Sequence, residues 1–496
     1  MTDTLLATAT GRLFIGGEWR ESSSGERHDV VTPATGEKIA DVAWATVDDV
    51  DAAAAAARAS FESGVWSGLS GRERARVLIR IAALIRERSE ELAQAESADV
   101  GKPILFARVV DVPTAAETFE YYAALAQTGE GALRDTTLPA FQYTVREPIG
   151  VVGALTPFNF PLILTASKIA PALAAGNSIV HKPAEDTPLS AVILAQIFAD
   201  AGLPDGVYNL ITGVGPALGE RIVEHPEIDM IAFTGSTAVG SKVAAKAGEL
   251  LKPVMVELGG NGANVVFADA DIDSAVNATI NAFVFNSGQF CMAGVRLLVQ
   301  RELHDTFLQI LSQAVPQVPI GRIDDMGTII GPLVSQRHLD RVSGFVERAK
   351  AQGGTVVTGG ERVDLDGGYY FSPTIITGLP NDAEAVQEEV FGPVLTVQTF
   401  DTEEEAIALA NSTRYGLAMG IQTSDIVKAM RVSKKLEAGL IWVNEWGKLD
   451  PTLTFGGVKN SGYGRENGPE ALHHYTRTKS VVISTPAPAP AAPSAP

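Results

Sequence analysis

Two α/β domains are predicted, the first of them built on a doubly wound parallel sheet. Three observations lead there. The chain has 496 residues, too many for one ordinary hydrophobic core. From Gly150 short apolar runs alternate with helical stretches of about ten residues or more, as parallel crossovers require. A second alternating series begins at Val265.

Taken in order, residues 13–19 predict a short strand with a turn at Gly16-Gly17. Between 47 and 129 the pattern is helical: an alanine-rich helix over 51–60, one helix over 70–97 and another over 112–127. The apolar runs of the first series are 151–155, 178–181, 207–211, 230–233 and 254–256. Those of the second are 265–267, 296–300, 355–357, 394–400 and 440–444. The end of the chain, 486–496, is Pro, Ala and Ser; it cannot bury a core and is expected to be disordered.

Composition excludes several functions. The chain is 46% hydrophobic and 20% charged, ordinary for a globular protein. A formal net charge of −20 argues against nucleic acid, which needs clustered Lys and Arg. No window approaches the roughly 20 apolar residues of a membrane span, and residues 1–12 lack the basic and apolar regions of a secretory signal. One cysteine permits neither an internal disulfide nor a Cys-based metal cluster. The seven histidines fall in no metal-ligand spacing or triad, so no metal and no histidine chemistry are expected. A cytoplasmic enzyme is the default expectation.

In an open parallel sheet ligands bind beyond the carboxyl ends of the strands. Small, polar and charged residues collect there: Thr156-Pro157-Phe158-Asn159, Lys182-Pro183-Ala184-Glu185, Thr212-Gly213-Val214-Gly215, Thr234-Gly235-Ser236 and Glu257-Leu258-Gly259-Gly260. The glycine runs at 213–219 and 235–240, in consecutive βα units, favour a nucleotide phosphate over plain turns. Cys291 lies in a Gly-containing turn, where reactive side chains are presented, although a lone cysteine is more often an inert small hydrophobe. Glu257 is either a solvated loop carboxylate or a base with a raised pKa, and position alone favours the first.

Taken together these motifs resemble the aldehyde dehydrogenase superfamily. Pro157-Phe158-Asn159-Phe160-Pro161, His181-Lys182-Pro183-Ala184-Glu185, Phe233-Thr234-Gly235-Ser236, Glu257-Leu258-Gly259-Gly260, Gly288-Gln289-Phe290-Cys291 and Glu389-Val390-Phe391-Gly392-Pro393 occur in that family's order and at about its spacing. Phe455-Gly456-Gly457-Val458-Lys459-Asn460-Ser461-Gly462 is also similar, and the likeness runs from Phe14 to about Ile483.

The resemblance implies a cofactor-binding domain of residues 1–130 and 149–258, a catalytic domain of 259–475, and a β-hairpin arm of 131–148 and 476–485 that builds a homodimer or homotetramer. It implies that Cys291 is the nucleophile, Glu257 the general base, and the Asn159 amide with the Cys291 N–H an oxyanion hole. Lys182 and Glu185 resemble adenosine-ribose contacts, Gly215 and Ser236 lie near the pyrophosphate, and Glu389 and Phe391 resemble nicotinamide-ribose and ring contacts. Thr156, Phe158, Gly235 and Leu258 fall in the same cofactor-lining motifs. The implied cofactor is NAD, with NADP left open because Lys182 offsets the Glu185 charge.

The implied substrate is an aldehyde, oxidised to the acid; acyl transfer to coenzyme A and a non-catalytic structural role are the alternatives. Leu164, Ser167, Phe290, Met292, Trp446 and Leu449 are expected in the substrate tunnel. Leu164 and Ser167, three apart on a helix, share a face. Ser167 stands where many members carry a bulky aromatic, and Phe158 and Met292 also depart from the commonest pattern. Glu445 is expected to face solvent, which leaves a tunnel suited to a medium or large hydrophobic aldehyde rather than a cationic one.

Overall fold

The computed structural model describes residues 11–129 and 131–485, so the expectation for 486–496 lies outside the described residues. The single strand expected over 13–19 is two, Leu13–Ile15 and Glu18–Arg20, paired antiparallel across the expected turn at Gly16-Gly17. Helix Val47–Ser63 starts at a capping box: Thr46 accepts from the Asp49 N–H and the Asp49 carboxylate accepts from the Thr46 N–H. The single helix expected over 70–97 is two, Gly71–Glu87 and Ser89–Val100. Arg88 leaves the helical region (φ −97°, ψ 26°) and forks its guanidinium onto Glu91 at 2.7 and 2.9 Å, which breaks the run.

The first sheet has eight strands. Its parallel centre runs Tyr208–Leu210, Ser178–Lys182, Val151–Leu155, Met230–Thr234, Val254–Glu257. Every residue of Val151–Leu155, Ser178–Lys182 and Met230–Thr234 is buried, as a strand covered on both faces must be. Gly71–Glu87, Val112–Ala126, Pro161–Ala175 and Leu189–Asp200 pack one face; Val47–Ser63, Pro216–Glu224 and Thr237–Glu249 pack the other. Connection direction reverses between Val151–Leu155 and Met230–Thr234, so the crevice opens at Thr156–Asn159 and Gly235-Ser236.

Residues 462–475, read from sequence with the second domain, sit on the first. Gly462–Tyr463 pairs antiparallel with Val254–Glu257, and Ala471 and Tyr475 join the first core. Buried Asn177 holds this return, its amide donating to the Tyr475 carbonyl at 2.9 Å.

The second sheet orders seven strands as Thr355–Thr358, Thr374–Thr377, Val394–Phe400, Arg296–Gln300, Ala263–Val266, Ala418–Gln422, Leu440–Val443. All neighbours are parallel except Thr355–Thr358 with Thr374–Thr377. Residues 131–134, 140–148 and 476–484 form a separate three-stranded antiparallel sheet that exposes Leu133, Phe141, Val482 and Ile483, with Leu138 exposed in its connecting loop. Among the described residues no helix is long and apolar enough to cross a membrane.

Candidate active site

Cys291 sits between two cavities and lines both. Its turn follows Phe285–Gly288, where Asn286 and Ser287 take left-handed backbone angles (φ 50° and 56°). Such angles need outside support in residues with a side chain. Ser287 Oγ donates to the Gly331 carbonyl at 2.7 Å, and Gln289 Oε1 accepts from the Val334 N–H at 2.9 Å. Gly288 (φ 72°) admits no side chain, because a Cβ there would stand 2.2 Å from the Gly392 backbone.

Asn159 follows the strand Val151–Leu155 and is buried; its amide donates to the Gln289 carbonyl at 3.0 Å. That bond uses one of the two amide hydrogens and aims the group at the Cys291 turn. Burial holds the Cys291 thiol above its usual range, and the negative charges of Glu389, Glu257 and Glu466 add to that, while the Met292 N–H opposes.

Glu257 ends the strand Val254–Glu257 and is 2% exposed, with no hydrogen-bond partner for either carboxylate oxygen among the described residues. Burial first, then the charge of Glu466, raise it well above an ordinary carboxyl; Lys168 and Arg465 pull it down. A Cβ on Gly456 would lie 2.7 Å from Glu257 Oε1, so the carboxyl needs glycine there. The solvated-loop alternative for Glu257 is therefore excluded. Beside it lies a buried ion pair that sequence reasoning did not find, Lys168 with Glu466, whose ammonium also donates to Thr234 Oγ1 at 2.6 Å.

The smaller cavity, about 210 Å³, is lined by Phe158, Asn159, Gly235, Ser236, Leu258 and Glu389, with Phe391, His338 and Arg341. Glu389 accepts from the Gly260 N–H at 3.0 Å, and burial pushes it up to about 7. A side chain at Gly259 would collide with that carboxylate, at 2.3 Å. His338, assigned no chemistry from sequence, donates from Nε2 to the Phe391 carbonyl at 2.7 Å and packs with Phe158 and Phe391 in an aromatic trio. Burial pushes His338 down to about 4, so it is neutral.

The other expected cofactor residues stand outside this cavity. Lys182 and Glu185 form an ion pair at 3.7 Å at the end of Ser178–Lys182. Gly215 (φ 95°) opens the helix Pro216–Glu224 with free space where a side chain would go. Thr156 is turned inward, its hydroxyl 2.9 Å from His181 Nε2.

The larger cavity, about 580 Å³, brings together all six expected tunnel residues, Leu164, Ser167, Phe290, Met292, Trp446 and Leu449. Phe106, Phe160, Phe285 and Phe455 add aromatic wall. Trp446 is fixed by its indole N–H on the Met292 carbonyl at 3.1 Å. One expectation is corrected: Glu445 does not simply face solvent but lines this cavity, its side chain one-quarter exposed (25%) and paired with Lys448 at 2.6 Å. Its pairing with Lys448, which lines the same cavity, holds it along that wall.

A family model described as the aldehyde dehydrogenase family matches residues 19–481. Among solved structures, betaine aldehyde dehydrogenase from Staphylococcus aureus, in complex with NAD+, superposes with a TM-score of 0.96 at 39% identity, covering 98% of this chain and 97% of that one. An indole-3-acetaldehyde dehydrogenase mutant from P. syringae, in complex with NAD+ and IAA, gives 0.95 at 38% identity over 98% and 99%. An aldehyde dehydrogenase mutant from Bacillus cereus gives 0.94 at 41% identity over 95% and 96%.

Proposed function

This chain belongs to the aldehyde dehydrogenase family, and from that premise we propose that it oxidises a hydrophobic aldehyde to the carboxylic acid with NAD, through a thioester on Cys291. The observation that carries the reading is the position of Cys291, which lines both the smaller cavity and the apolar tunnel.

The smaller cavity fits a dinucleotide's reactive end. Phe158 and Phe391 supply flat apolar walls, the half-buried Glu389 carboxylate is held for a ribose hydroxyl, and the glycine-bounded end of Met230–Thr234 leads into the helix Thr237–Glu249. Lys182 and Glu185 would hold the adenosine ribose, and Gly215 and Ser236 would face the pyrophosphate. NAD, when bound, supplies the hydride acceptor.

The chain's own residues do the rest. The Cys291 thiolate, its proton given up to solvent, attacks the aldehyde carbon, since a carbonyl has no hydride to give until it is tetrahedral. The oxygen that gains charge is met by the second Asn159 amide hydrogen and the Cys291 N–H. Once the thioester has formed, Glu257 takes a proton from the water that hydrolyses it. A buried carboxyl with a raised pKa suits that task, and it favours free acid over transfer to coenzyme A.

Leu164, Phe290, Met292 and Trp446 support a medium or large apolar substrate. A second reading, a small cationic aldehyde, is favoured by Glu445 and Asp450 in the same wall; Lys448 already neutralises Glu445, so we place it second. The single cysteine supports a cytoplasmic location. The exposed apolar residues of the three-stranded arm support a homo-oligomer, dimer or tetramer.

The test is NADH formation with benzaldehyde, hexanal, acetaldehyde and betaine aldehyde, with and without coenzyme A. Benzaldehyde or hexanal should give the highest kcat/KM, independent of coenzyme A. Strict dependence on coenzyme A, preference for betaine aldehyde, or no turnover at all would each overturn a stated part of the reading.

A further inference from the structure

Three charged side chains that line neither cavity are buried together behind the tunnel. Lys102 donates to Glu96 at 3.1 Å and to Asp111 at 2.6 Å, and all three are withdrawn from solvent. None takes part in the steps assigned above. Apolar residues of similar volume often replace such a buried network without loss of stability, so stability alone is a poor reason for it. What its directional bonds supply is a fixed position.

That position bears on the site. The Lys102 ammonium stands 4.2 Å from the centre of the Phe160 ring, a cation–π contact that burial strengthens. The second Glu96 oxygen accepts from the Leu162 N–H at 3.3 Å, in the first turn of the helix Pro161–Ala175. Phe160 follows Asn159 directly in the chain. Its ring also packs against Phe285 and Phe290, with ring centres 5.8 and 5.6 Å away, and Phe290 directly precedes Cys291. Asp111 ends a single turn of π-helix, Ala107–Asp111, whose Val110 lines the tunnel. Such turns are rare and recur at functional positions.

We infer that Lys102, locked between Glu96 and Asp111, is a positioning residue for the oxidation: it fixes the Phe160 ring, and through that ring the placing of the Asn159 amide against Cys291. The path is short. Lys102 touches Phe160, Phe160 touches Phe290, and the chain neighbours of those two rings are the oxyanion donor and the nucleophile. A donor lowers the barrier only when it is aimed at the point where charge will develop, so a small shift of Phe160 is felt in the rate. The inference rests on the oxyanion reading of Asn159 and adds the group that holds that residue in place.

The experiment reads the single-turnover rate of NADH formation at saturating NAD with acetaldehyde, which is small enough to make little use of the tunnel wall. Lys102→Met alone would strand two buried carboxylates, so it is combined with Glu96→Gln and Asp111→Asn, which keep volume and hydrogen-bonding capacity. Phe160→Leu is the second variant; it leaves the three charges paired and removes the ring, and it decides alone if the triple variant does not fold. Each should slow NADH formation by about tenfold to a hundredfold, with NAD affinity, read by quenching of tryptophan fluorescence, unchanged. In an Asn159→Ala background neither should slow it further, because the donor they position is already gone. An unchanged rate in the folded triple variant or in Phe160→Leu, a loss confined to NAD affinity, or losses that multiply with that of Asn159→Ala would overturn the positioning role. An Asn159→Ala enzyme as fast as the unaltered one would overturn the oxyanion reading, and this inference with it.

Discussion

The Asn159 amide donates to the Gln289 carbonyl at 3.0 Å, and Asn286 returns a bond to the Asn159 carbonyl at 2.9 Å. This reciprocal clamp ties the end of Val151–Leu155, in the first sheet, to the turn of Cys291, in the second domain. Asn159→Ala should lower kcat by about 10²–10³ through loss of the oxyanion donor, with little change in NAD affinity. Steady-state kinetics with a cofactor-binding titration checks this; a loss confined to NAD affinity would remove Asn159 from the oxyanion role.

Glu257 should give the reaction its acidic limb. Burial and the Glu466 charge raise its pKa, so the protonated form persists to higher pH than for an ordinary carboxyl. A base acts deprotonated, so thioester hydrolysis should rise with pH through that raised value and level off above it. Glu257→Gln should abolish this limb and produce an NADH burst followed by a slow steady rate on rapid mixing. Unchanged steady-state turnover would take Glu257 out of the base role.

NAD should be preferred over NADP. At the proposed adenosine end, the Glu185 carboxylate would meet a 2′-phosphate with like charge, and Lys182, 3.7 Å from it, offsets only part of that. Glu185→Gln should narrow the ratio of kcat/KM values. An NADP efficiency equal to that of NAD in the unaltered enzyme would show that the charge does not act this way.

Ser167→Trp should fill the tunnel. Ser167 is 3% exposed and shares the cavity wall with Leu164 and Phe290, so an indole there would occupy substrate space. The kcat/KM for benzaldehyde should fall at least about tenfold, with a smaller loss for acetaldehyde. An unchanged benzaldehyde value would place the substrate elsewhere.

Much of the first sheet was legible because its strands are continuous apolar runs separated by crossover-length helices. Ala418–Gln422 was not: it holds one β-branched residue, and its strand state comes from parallel partners on both sides, Ala263–Val266 and Leu440–Val443. Cys291, Glu257 and Asn159 stood out through their motifs, and Leu164 and Ser167 through the family resemblance, helical spacing adding only that they share a face. The Lys168–Glu466 pair was hidden because its members are 298 residues apart. His338 and Arg341 were hidden because their helix, Gln336–Ala351, reads as an ordinary amphipathic surface helix until it is packed against Phe391. Glu445 was misread because sequence showed a loop and not the cavity that this loop walls.

The central claim is that oxidation passes through a thioester on Cys291, and the most direct measurement is the mass of the protein after a single turnover. Glu257→Gln, mixed with NAD and hexanal and quenched in acid, should carry one hexanoyl group on the Cys291 peptide. The adduct should require NAD and be absent from Cys291→Ala. NADH formed by Cys291→Ala, or a burst in Glu257→Gln with no acyl group on Cys291, would contradict the account.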